Sequence, residues 1–239
     1  MSGDLWEGKT VNVRAMFASI ADYYDPVNSL LSLRRDGSWR RFAASKCGTG
    51  SGALALDVAT GTGELARHLS RRDGESMVVG LDFCPRMLQK AKAKFIASPG
   101  GGLIELVLGD ALQLPFRENT FDCVTIGFGL RNIPDIGGAF REIARVVKLG
   151  GRVVSLELTR PQSLLARTLH YFVLFHIVPY IGVLVSGTRQ AYTYLPNSIM
   201  VSPSPEAVKG LMEEAGLSEV EIHRLTLGVA TVHVGVKEA

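Results

Sequence analysis

The chain has few cysteines and little net charge. Its three cysteines, Cys47, Cys84 and Cys123, show no CxxC spacing. The sequence therefore predicts neither a metal site nor a disulfide framework, and it favours a reducing cytosol. A formal net charge of +3 is too weak to indicate nucleic-acid binding, although it suits a mildly basic surface near anionic lipid. The N-terminus lacks the apolar run of a secretory signal, so we expect a cytoplasmic protein.

The composition is that of an ordinary globular domain. Of the 239 residues, 46% are hydrophobic and 21% are charged, which disfavours disorder and fibrous repeats. We expect one domain over residues 1–239 rather than two small ones. Two segments stand out within it: a helical N-terminal part (1–48), with helices predicted over 11–24 and 29–46 and a break at Asp25-Pro26, and an apolar part (160–200).

Strands and helices alternate through the middle of the chain. This alternation is typical of βαβ units and a parallel sheet, which binds ligands at the carboxyl ends of its strands. Two final strands share a short glycine-containing turn and predict an antiparallel hairpin. The predicted fold class is α/β, a Rossmann-like seven-stranded sheet with helices on both faces. Its strands are expected at residues 53–58, 77–81, 104–108, 123–127, 152–158, 220–227 and 230–237.

Ser163–Val185 is apolar and long enough to raise the question of a membrane span. Polar residues interrupt it, and polar groups are costly in hydrocarbon, so a true span is disfavoured. Two interpretations stay open: a core or cap helix, and an apolar wall or interfacial helix for a lipid-like substrate. The interrupting residues are Arg167, His170, His176 and Pro179.

A glycine turn follows the first predicted strand. Gly61 and Gly63 allow a ligand to approach the backbone closely, next to the free N–H groups of a helix start. Asp82 comes 21 residues after Gly61, where an acid accepts hydrogen bonds from ribose hydroxyls. The bland alternatives are an ordinary tight turn and a helix-terminal acid. The pattern favours an adenosine-type ligand.

Acidic residues at further strand ends favour a sulfonium donor over a dinucleotide. Asp57 precedes the glycines and offers negative charge to a cationic ligand, directly or through water. Asp110 and Ala111 follow the third strand and suit an adenine ring. Gly127 ends the fourth strand. A methyltransferase is therefore favoured over a dehydrogenase.

From about Met16 to Lys237 the chain resembles the ubiquinone/menaquinone-biosynthesis C-methyltransferases, the UbiE-like enzymes. The F-G-L-R-N element after the fourth strand is narrower than the general methyltransferase signals. The matching segments are Met16–Asp25, Asp57–Gly63, Gly109–Phe116, Phe121–Asn132 and Gly150–Pro161. The sequence departs from the family pattern at Lys148–Gly151 and at Ser186–Gln190, so the resemblance leaves the exact acceptor open.

The resemblance implies S-adenosyl-L-methionine as the methyl donor and a ring carbon of a prenylated hydroquinone as the acceptor. The acceptor would be demethylmenaquinol or the benzoquinol equivalent. The family's donor-binding positions fall on Thr62, Asp82, Asp110, Ala111 and Gly127. The resemblance also implies a lid at residues 1–48, a substrate cap at 160–200, and transient contact with the inner face of a membrane. It leaves a homodimer open.

Five residues are candidate catalytic groups, two of them possible bases. We expect Arg131 to stabilise a phenolate, and Asn132 to donate to the same oxygen or to position a water. Tyr24 would orient the ring and Asp25 would act as a base, with Glu157 as a second candidate base.

Each of these roles has a structural alternative. Arg131 could pair with Asp135 at the surface, Asn132 could cap a turn, and Tyr24 could serve packing alone. His170 and His176 are expected to be packing residues. Two other functions stay open: methylation of another small acceptor such as a sterol, phenol or polyketide, and non-catalytic binding of an adenosine ligand.

Overall fold

A computed structural model describes residues 13–48, 50, 52–71, 76–97, 103–177 and 190–238. Three helices open it: α1 (13–20), α2 (Tyr24–Leu31) and α3 (Arg35–Ser45). The helix break predicted at Asp25-Pro26 is misplaced. Pro26 lies in the first turn of α2, where its missing N–H removes no hydrogen bond, and the chain breaks at 21–23 and 32–34 instead.

The sheet has seven strands in the order β3-β2-β1-β4-β5-β7-β6. The first five pair in parallel, and β7 pairs antiparallel with both β5 and β6. The predicted fold class is confirmed. The strands are β1 (Leu54–Val58), β2 (Met77–Asp82), β3 (Ile104–Leu108), β4 (Phe121–Gly127), β5 (Val147–Leu158), β6 (Leu217–Leu225) and β7 (Ala230–Lys237).

Helices cover both faces of the sheet and bury two apolar layers. The helices that follow α3 are α4 (Glu64–Ser70), α5 (Pro85–Ala97), α6 (Ile136–Val146), α7 (Leu164–Phe172), α8 (Gln190–Val201) and α9 (Pro205–Glu214). Phe140 of α6 and Met212 of α9 pack in one layer, and Trp39 of α3 and Leu65 of α4 pack in the other. Burying both faces is the arrangement that a parallel sheet requires.

The apolar part of the chain packs on the N-terminal helices over the carboxyl edge of the sheet. Helix α7 continues into a π-helical turn (Val173–Ile177). A buried cluster joins Ile20 and Val27 of the first helices to Leu174 and Ile199 of the apolar part. No helix within the described residues is long and apolar enough to cross a membrane. Residues 178–189, including Pro179, lie outside the described part.

The prediction that no disulfide forms is wrong. Cys47, just after α3, is bonded to Cys123 in β4, with the two Cα atoms 5.6 Å apart. Both residues are buried in the same apolar layer. Spacing in the sequence could not reveal this pair, because 76 residues separate the two cysteines and only packing of α3 on the sheet brings them together. Cys84 is free and buried.

Candidate active site: a strand-end cleft joined to an apolar cavity

A cleft with an empty volume of about 820 Å³ opens at the carboxyl ends of β1 to β4. We call it the strand-end cleft. Five of the predicted donor-binding residues line it, as do Tyr24 and Asn132 from the predicted catalytic set. Those five are Gly61, Asp82, Asp110, Ala111 and Gly127. The four strand ends therefore meet as the parallel topology predicts.

The glycine turn shapes one side of the strand-end cleft. Gly61 has a φ of +57°, and a Cβ built there would meet no atom within 4 Å, so a side chain would enter the cleft. Gly63 has a φ of +81°, and a Cβ there would collide with the ring of Phe95. The first glycine thus leaves room for a ligand, and the second allows α4 to pack closely on α5.

Asp82 is held at the end of β2 by two backbone N–H groups. Its Oδ2 accepts a hydrogen bond from Gly61 N at 2.8 Å, and its Oδ1 accepts one from Cys84 N at 2.9 Å. The side chain is nearly buried at 5% exposure, and this burial raises its pKa. The remaining lone pairs of a fixed carboxylate at the cleft wall can accept hydrogen bonds from sugar hydroxyls.

Asp110 and Gly127 close the other side of the cleft. Asp110 Oδ1 accepts a hydrogen bond from Leu112 N at 2.9 Å, which fixes the turn after β3. A Cβ at Gly127 would lie 2.9 Å from Leu65 Cδ2. Glycine there preserves the packing of α4 and offers no side-chain contact to a ligand.

Asp57 lies beneath the glycine turn, outside the strand-end cleft. Its two carboxylate oxygens accept hydrogen bonds from Thr60 Oγ1 at 2.6 Å and Thr125 Oγ1 at 2.7 Å. Burial raises its pKa to about 6. In this position Asp57 joins β1 to β4 and to the turn, and any influence on a cationic ligand is electrostatic rather than by contact.

Thr62 and Asp25 bind each other. Thr62 Oγ1 donates a hydrogen bond to Asp25 Oδ1 at 2.5 Å, and Lys94 Nζ lies 2.6 Å from Asp25 Oδ2 and 2.7 Å from Glu64 Oε1. These four residues, which we call the latch, tie α2 to α4 and α5. Asp25 lines neither the cleft nor the apolar cavity described next. The structure therefore places Asp25 in an ion pair, and its role as a base stays a prediction.

An apolar cavity adjoins the cleft between the N-terminal helices, the apolar part and the β6–β7 turn, with an empty volume of about 1300 Å³ that includes space open to solvent. Tyr24 and Phe128 line both spaces and form the wall between them. Phe128 has a φ of +58°, a left-handed conformation that is unfavourable for an aromatic residue and that turns the chain after β4. Other lining residues are Leu31, Trp39, Leu158, Val173, Leu174 and Leu195.

Arg131 lines the apolar cavity and pairs with Glu157, which rules out the alternative of a surface pair with Asp135. Its NH1 group donates to Glu157 Oε1 and, at 2.7 Å, to the carbonyl of Phe128. The Arg131 side chain is only 7% exposed. Burial alone would lower its pKa, but the carboxylate of Glu157 outweighs this and raises it. Asp135 instead caps α6 and pairs with Arg141.

The Nε–H of Arg131 is buried and has no hydrogen-bond partner within the described residues. Buried donors are almost always paired, because an unpaired one loses its hydration without compensation. Arg131 lines the apolar cavity, and its charged N–H has no acceptor. Such a donor can bind a ligand oxygen that carries negative charge.

Asn132 reaches the strand-end cleft and is positioned by a residue that the sequence reasoning missed. Tyr194 of α8 donates from its hydroxyl to Asn132 Oδ1 at 2.9 Å. The Asn132 amide nitrogen donates to the carbonyl of Phe128 at 3.5 Å, and its second N–H can donate to another acceptor. Burial raises the pKa of both Tyr24 and Tyr194, although the charge of Arg131 opposes the shift. The only sequence signal for Tyr194 is its place in an aromatic run within the apolar part.

His170 also lines the apolar cavity. Its Nε2 is buried and has no hydrogen-bond partner in the described part of the chain. Burial lowers its pKa, so the imidazole is neutral at pH 7 and can accept a proton. The expectation that His170 serves packing alone does not account for this unpaired nitrogen.

The strand-end cleft fits an adenosyl group. Two carboxylates, Asp82 and Asp110, can accept hydrogen bonds from hydroxyl and amino groups, and the open space at Gly61 admits a ligand close to the backbone. The side chains of Phe83, Met87 and Leu112 offer apolar surface to a purine ring.

Comparison with known proteins gives one consistent result. The model of the ubiE/COQ5 methyltransferase family matches residues 5–237. The ubiquinone/menaquinone biosynthesis C-methyltransferase UbiE of Geobacter sp. (strain M21) is 40% identical over 230 residues, covering 96% of this chain and 97% of the relative. The demethylmenaquinone methyltransferase of Bacillus pumilus (strain SAFR-032) is 40% identical over 232 residues, covering 97% and 99%.

Solved structures share the fold at low identity. A SAM-dependent methyltransferase from Aquifex aeolicus aligns with a TM-score of 0.64 and 17% identity, over 89% of this chain and 97% of that one. Phosphoethanolamine N-methyltransferase 2 of Haemonchus contortus, in complex with S-adenosyl-L-methionine, aligns with a TM-score of 0.60 and 17% identity, over 83% and 52%. With the family model matching nearly the whole length, this chain belongs to the ubiE/COQ5 methyltransferase family and is a methyltransferase.

Proposed function

We propose that the chain transfers a methyl group from S-adenosyl-L-methionine to a ring carbon of a prenylated hydroquinone. One observation carries the proposal: a cleft that suits an adenosyl group shares the Tyr24–Phe128 wall with a large apolar cavity, where the Nε–H of Arg131 is unpaired. Two relatives at 40% identity are named for menaquinone or demethylmenaquinone, so demethylmenaquinol is the first acceptor to test.

In this proposal the donor lies in the strand-end cleft. Asp82 accepts hydrogen bonds from the ribose, and Asp110 accepts one from the adenine amino group. Ala111 and Gly127 leave room for the ligand because their side chains are small or absent. When bound, the sulfonium supplies an electrophilic methyl carbon, whose bond to sulfur breaks as the ring carbon attacks it.

The protein has to make the ring carbon nucleophilic. His170 accepts the proton of the ring hydroxyl, and the electron pair left on oxygen moves charge to the adjacent carbon. Arg131 Nε–H donates to the resulting phenolate, and Asn132 orients the ring. After the new C–C bond forms, the ring carbon loses its proton to water, and protonated His170 returns the hydroxyl proton to the phenolate oxygen. One proton is released in the whole reaction.

Glu157 has a positioning role in this scheme. Its carboxylate fixes the Arg131 guanidinium and also accepts a hydrogen bond from the backbone N–H of Leu158 at 2.9 Å. Because the Glu157 carboxylate already accepts hydrogen bonds from Arg131 and from the Leu158 N–H, whereas His170 Nε2 has no partner within the described residues, His170 is the candidate base.

A prenylated acceptor resides in a bilayer, so the enzyme would contact a membrane surface transiently. The outer side of α7 is apolar there, with Leu164, Leu165 and Phe172 exposed at 72%, 82% and 55%. Replacing these apolar side chains of α7 with polar ones is expected to lower activity on long-tailed quinols more than on short-tailed quinols. Equal losses would contradict this contact.

The proposed reaction is tested directly by incubating the protein with S-adenosyl-L-methionine and reduced demethylmenaquinone, followed by mass spectrometry. We expect one added methyl group on the quinone ring. A reduced benzoquinone analogue and a simple phenol serve as competing acceptors. Methylation of the phenol alone would favour the alternative of another small acceptor, and no product with donor bound would favour a non-catalytic binder.

A further inference from the structure

Two leucines stand at the solvent-facing rim of the apolar cavity. Leu33 and Leu227 both line the cavity, yet they are 82% and 80% exposed. They come from distant parts of the chain. Leu33 lies in the connection between α2 and α3, and Leu227 lies in the turn between β6 and β7. Packing has therefore brought together two exposed apolar side chains at one opening.

Both leucines occupy a backbone conformation that leucine normally avoids. Leu33 has a φ of +51° and Leu227 a φ of +58°, and their neighbours Arg34 and Thr226 are also left-handed, at +61° and +49°. The left-handed region crowds the Cβ of most residues, whereas asparagine and glycine adopt it more readily. Strain at an exposed position points to a role outside the fold, because a better-suited residue was available there.

The two turns are held in place by specific contacts. Arg34 N donates to Ser29 O at 2.6 Å, and Leu33 N donates to Leu30 O at 3.0 Å. Trp39 Nε1 donates to Thr226 Oγ1 at 2.9 Å across the cavity wall. These bonds fix the backbone that presents each leucine to solvent, so the exposure follows from how each turn is built.

Positive charge lies next to the same opening. Arg34 and Arg35 adjoin Leu33, and Arg167 lies on α7, whose His170 lines the cavity. These three arginines are exposed and form no ion pair with another described residue. The acid at this opening, Asp36, is paired with Arg40. Exposed apolar side chains flanked by unpaired cations are the chemistry that an anionic membrane interface binds.

We propose that Leu33 and Leu227 insert into an anionic lipid bilayer and seat the opening of the apolar cavity on the membrane. Arg34 and Arg35 would then lie at the level of the phosphates. The inference rests on the proposed function, because it gives a lipid-dissolved acceptor a direct path into the cavity. A second copy of the chain on this surface would cover the opening, whereas a bilayer leaves it open to such a ligand.

The test uses asparagine substitutions, which remove the apolar side chain and suit the left-handed backbone. Full-length Leu33→Asn, Leu227→Asn and the double variant are co-sedimented with phosphatidylglycerol–phosphatidylcholine vesicles without quinol. We expect about tenfold weaker binding for each single variant and about a hundredfold for the double variant, since the two sites act independently. Melting temperatures should stay equal or rise.

Ile96→Asn is the matched control. Ile96 is 72% exposed on α5, away from the cavity, and its substitution should leave vesicle binding unchanged. Arg34→Gln with Arg35→Gln should abolish the preference for phosphatidylglycerol over phosphatidylcholine. Leucine variants that bind vesicles like the wild type would overturn the proposal. The proposal would also be overturned if the wild type formed a concentration-dependent dimer that the leucine variants lost. That result would identify a second copy of the chain as the partner that covers the cavity opening.

Wild-type protein separates this inference from the proposed function. Methylation of a short-tailed, water-soluble quinol without vesicle binding would overturn the membrane site and leave the function standing. Leucine-dependent vesicle binding without methylation of any quinol would support the membrane site and contradict the function.

Discussion

Arg131 combines two features that rarely occur together, a buried ion pair with Glu157 and an unused N–H. Removing the charge would leave Glu157 buried and unpaired, which costs about 3–5 kcal/mol of stability. Arg131→Lys is therefore the informative change, since it keeps the charge and loses the second donor direction. We expect kcat to fall on the order of a hundredfold.

The donor's dissociation constant, measured by calorimetry, should not change in Arg131→Lys, because Arg131 does not line the strand-end cleft. Arg141→Lys is the control, because Arg141 pairs with the exposed Asp135. If donor affinity in Arg131→Lys fell by as large a factor as kcat, the arginine would support the structure of the strand-end cleft rather than the reaction.

If His170 is the base, its lowered pKa determines how the reaction rate depends on pH. Burial lowers its pKa below 6.5, so it is neutral and able to accept a proton at pH 7. The rate should hold from neutral pH down to that lowered pKa and fall below it. His170→Gln should remove this acid limb and lower kcat on the order of a hundredfold. His176→Gln, on the same segment and exposed, should keep the wild-type profile, and an unchanged profile in His170→Gln would exclude it as the base.

At the scale of elements, the latch couples the N-terminal helices to the glycine turn. Asp25→Ala removes the partner of both Thr62 and Lys94 and frees α2, whose Tyr24 lines the strand-end cleft. We expect donor affinity to fall about tenfold with kcat at saturating donor nearly unchanged, because about 1.4 kcal/mol of ordering is lost. Calorimetry and saturation kinetics measure the two quantities.

Asp22→Ala is the control for the latch. Asp22 pairs with Arg86 and Lys90 of α5, but it is about half exposed and contacts no cleft residue in these pairs. Its effect on donor affinity should be under twofold. A large fall in kcat with intact donor affinity in Asp25→Ala would instead support Asp25 as the base.

The elements themselves were largely readable from the sequence. β3 (Ile104–Leu108) and β7 (Ala230–Lys237) have the predicted bounds, because local patterning determines them. Partners across the fold were not readable. The Cys47–Cys123 bond and the hydrogen bond from Tyr194 to Asn132 join segments far apart in the chain, and no local spacing records such pairs.

The residues of the site also divide into those whose positions the sequence predicts and those whose partners it does not. Residues at strand ends, such as Asp82 and Asp110, line the strand-end cleft as predicted, because the parallel topology alone brings strand ends together. Ion-pair partners could not be read from the sequence. Asp25 pairs with Lys94, and Arg131 pairs with Glu157 rather than with Asp135, because these contacts depend on how helices pack over the sheet.

For the whole molecule, two buried groups act in opposite directions on stability. Burial lowers the pKa of His233 in β7 to about 4, so between pH 6.5 and 4 the unfolded chain binds the extra proton and the free energy of unfolding falls as pH falls. Burial raises the pKa of Asp57 to about 6. Between pH 6 and 3.8 the folded chain binds the extra proton, and the free energy of unfolding rises as pH falls.

Each group contributes about 3 kcal/mol over its range, so the two nearly cancel in the wild type. Asp57→Asn removes the opposing slope, and we expect its free energy of unfolding to drop by about 3 kcal/mol more than that of the wild type between pH 6.5 and 4. His233→Gln should show the reverse difference. Urea unfolding at half-unit pH steps measures both, and comparison with the wild type subtracts the surface carboxylates. Parallel profiles for wild type and Asp57→Asn would mean that Asp57 stays ionised in the fold, stabilised by Thr60 and Thr125.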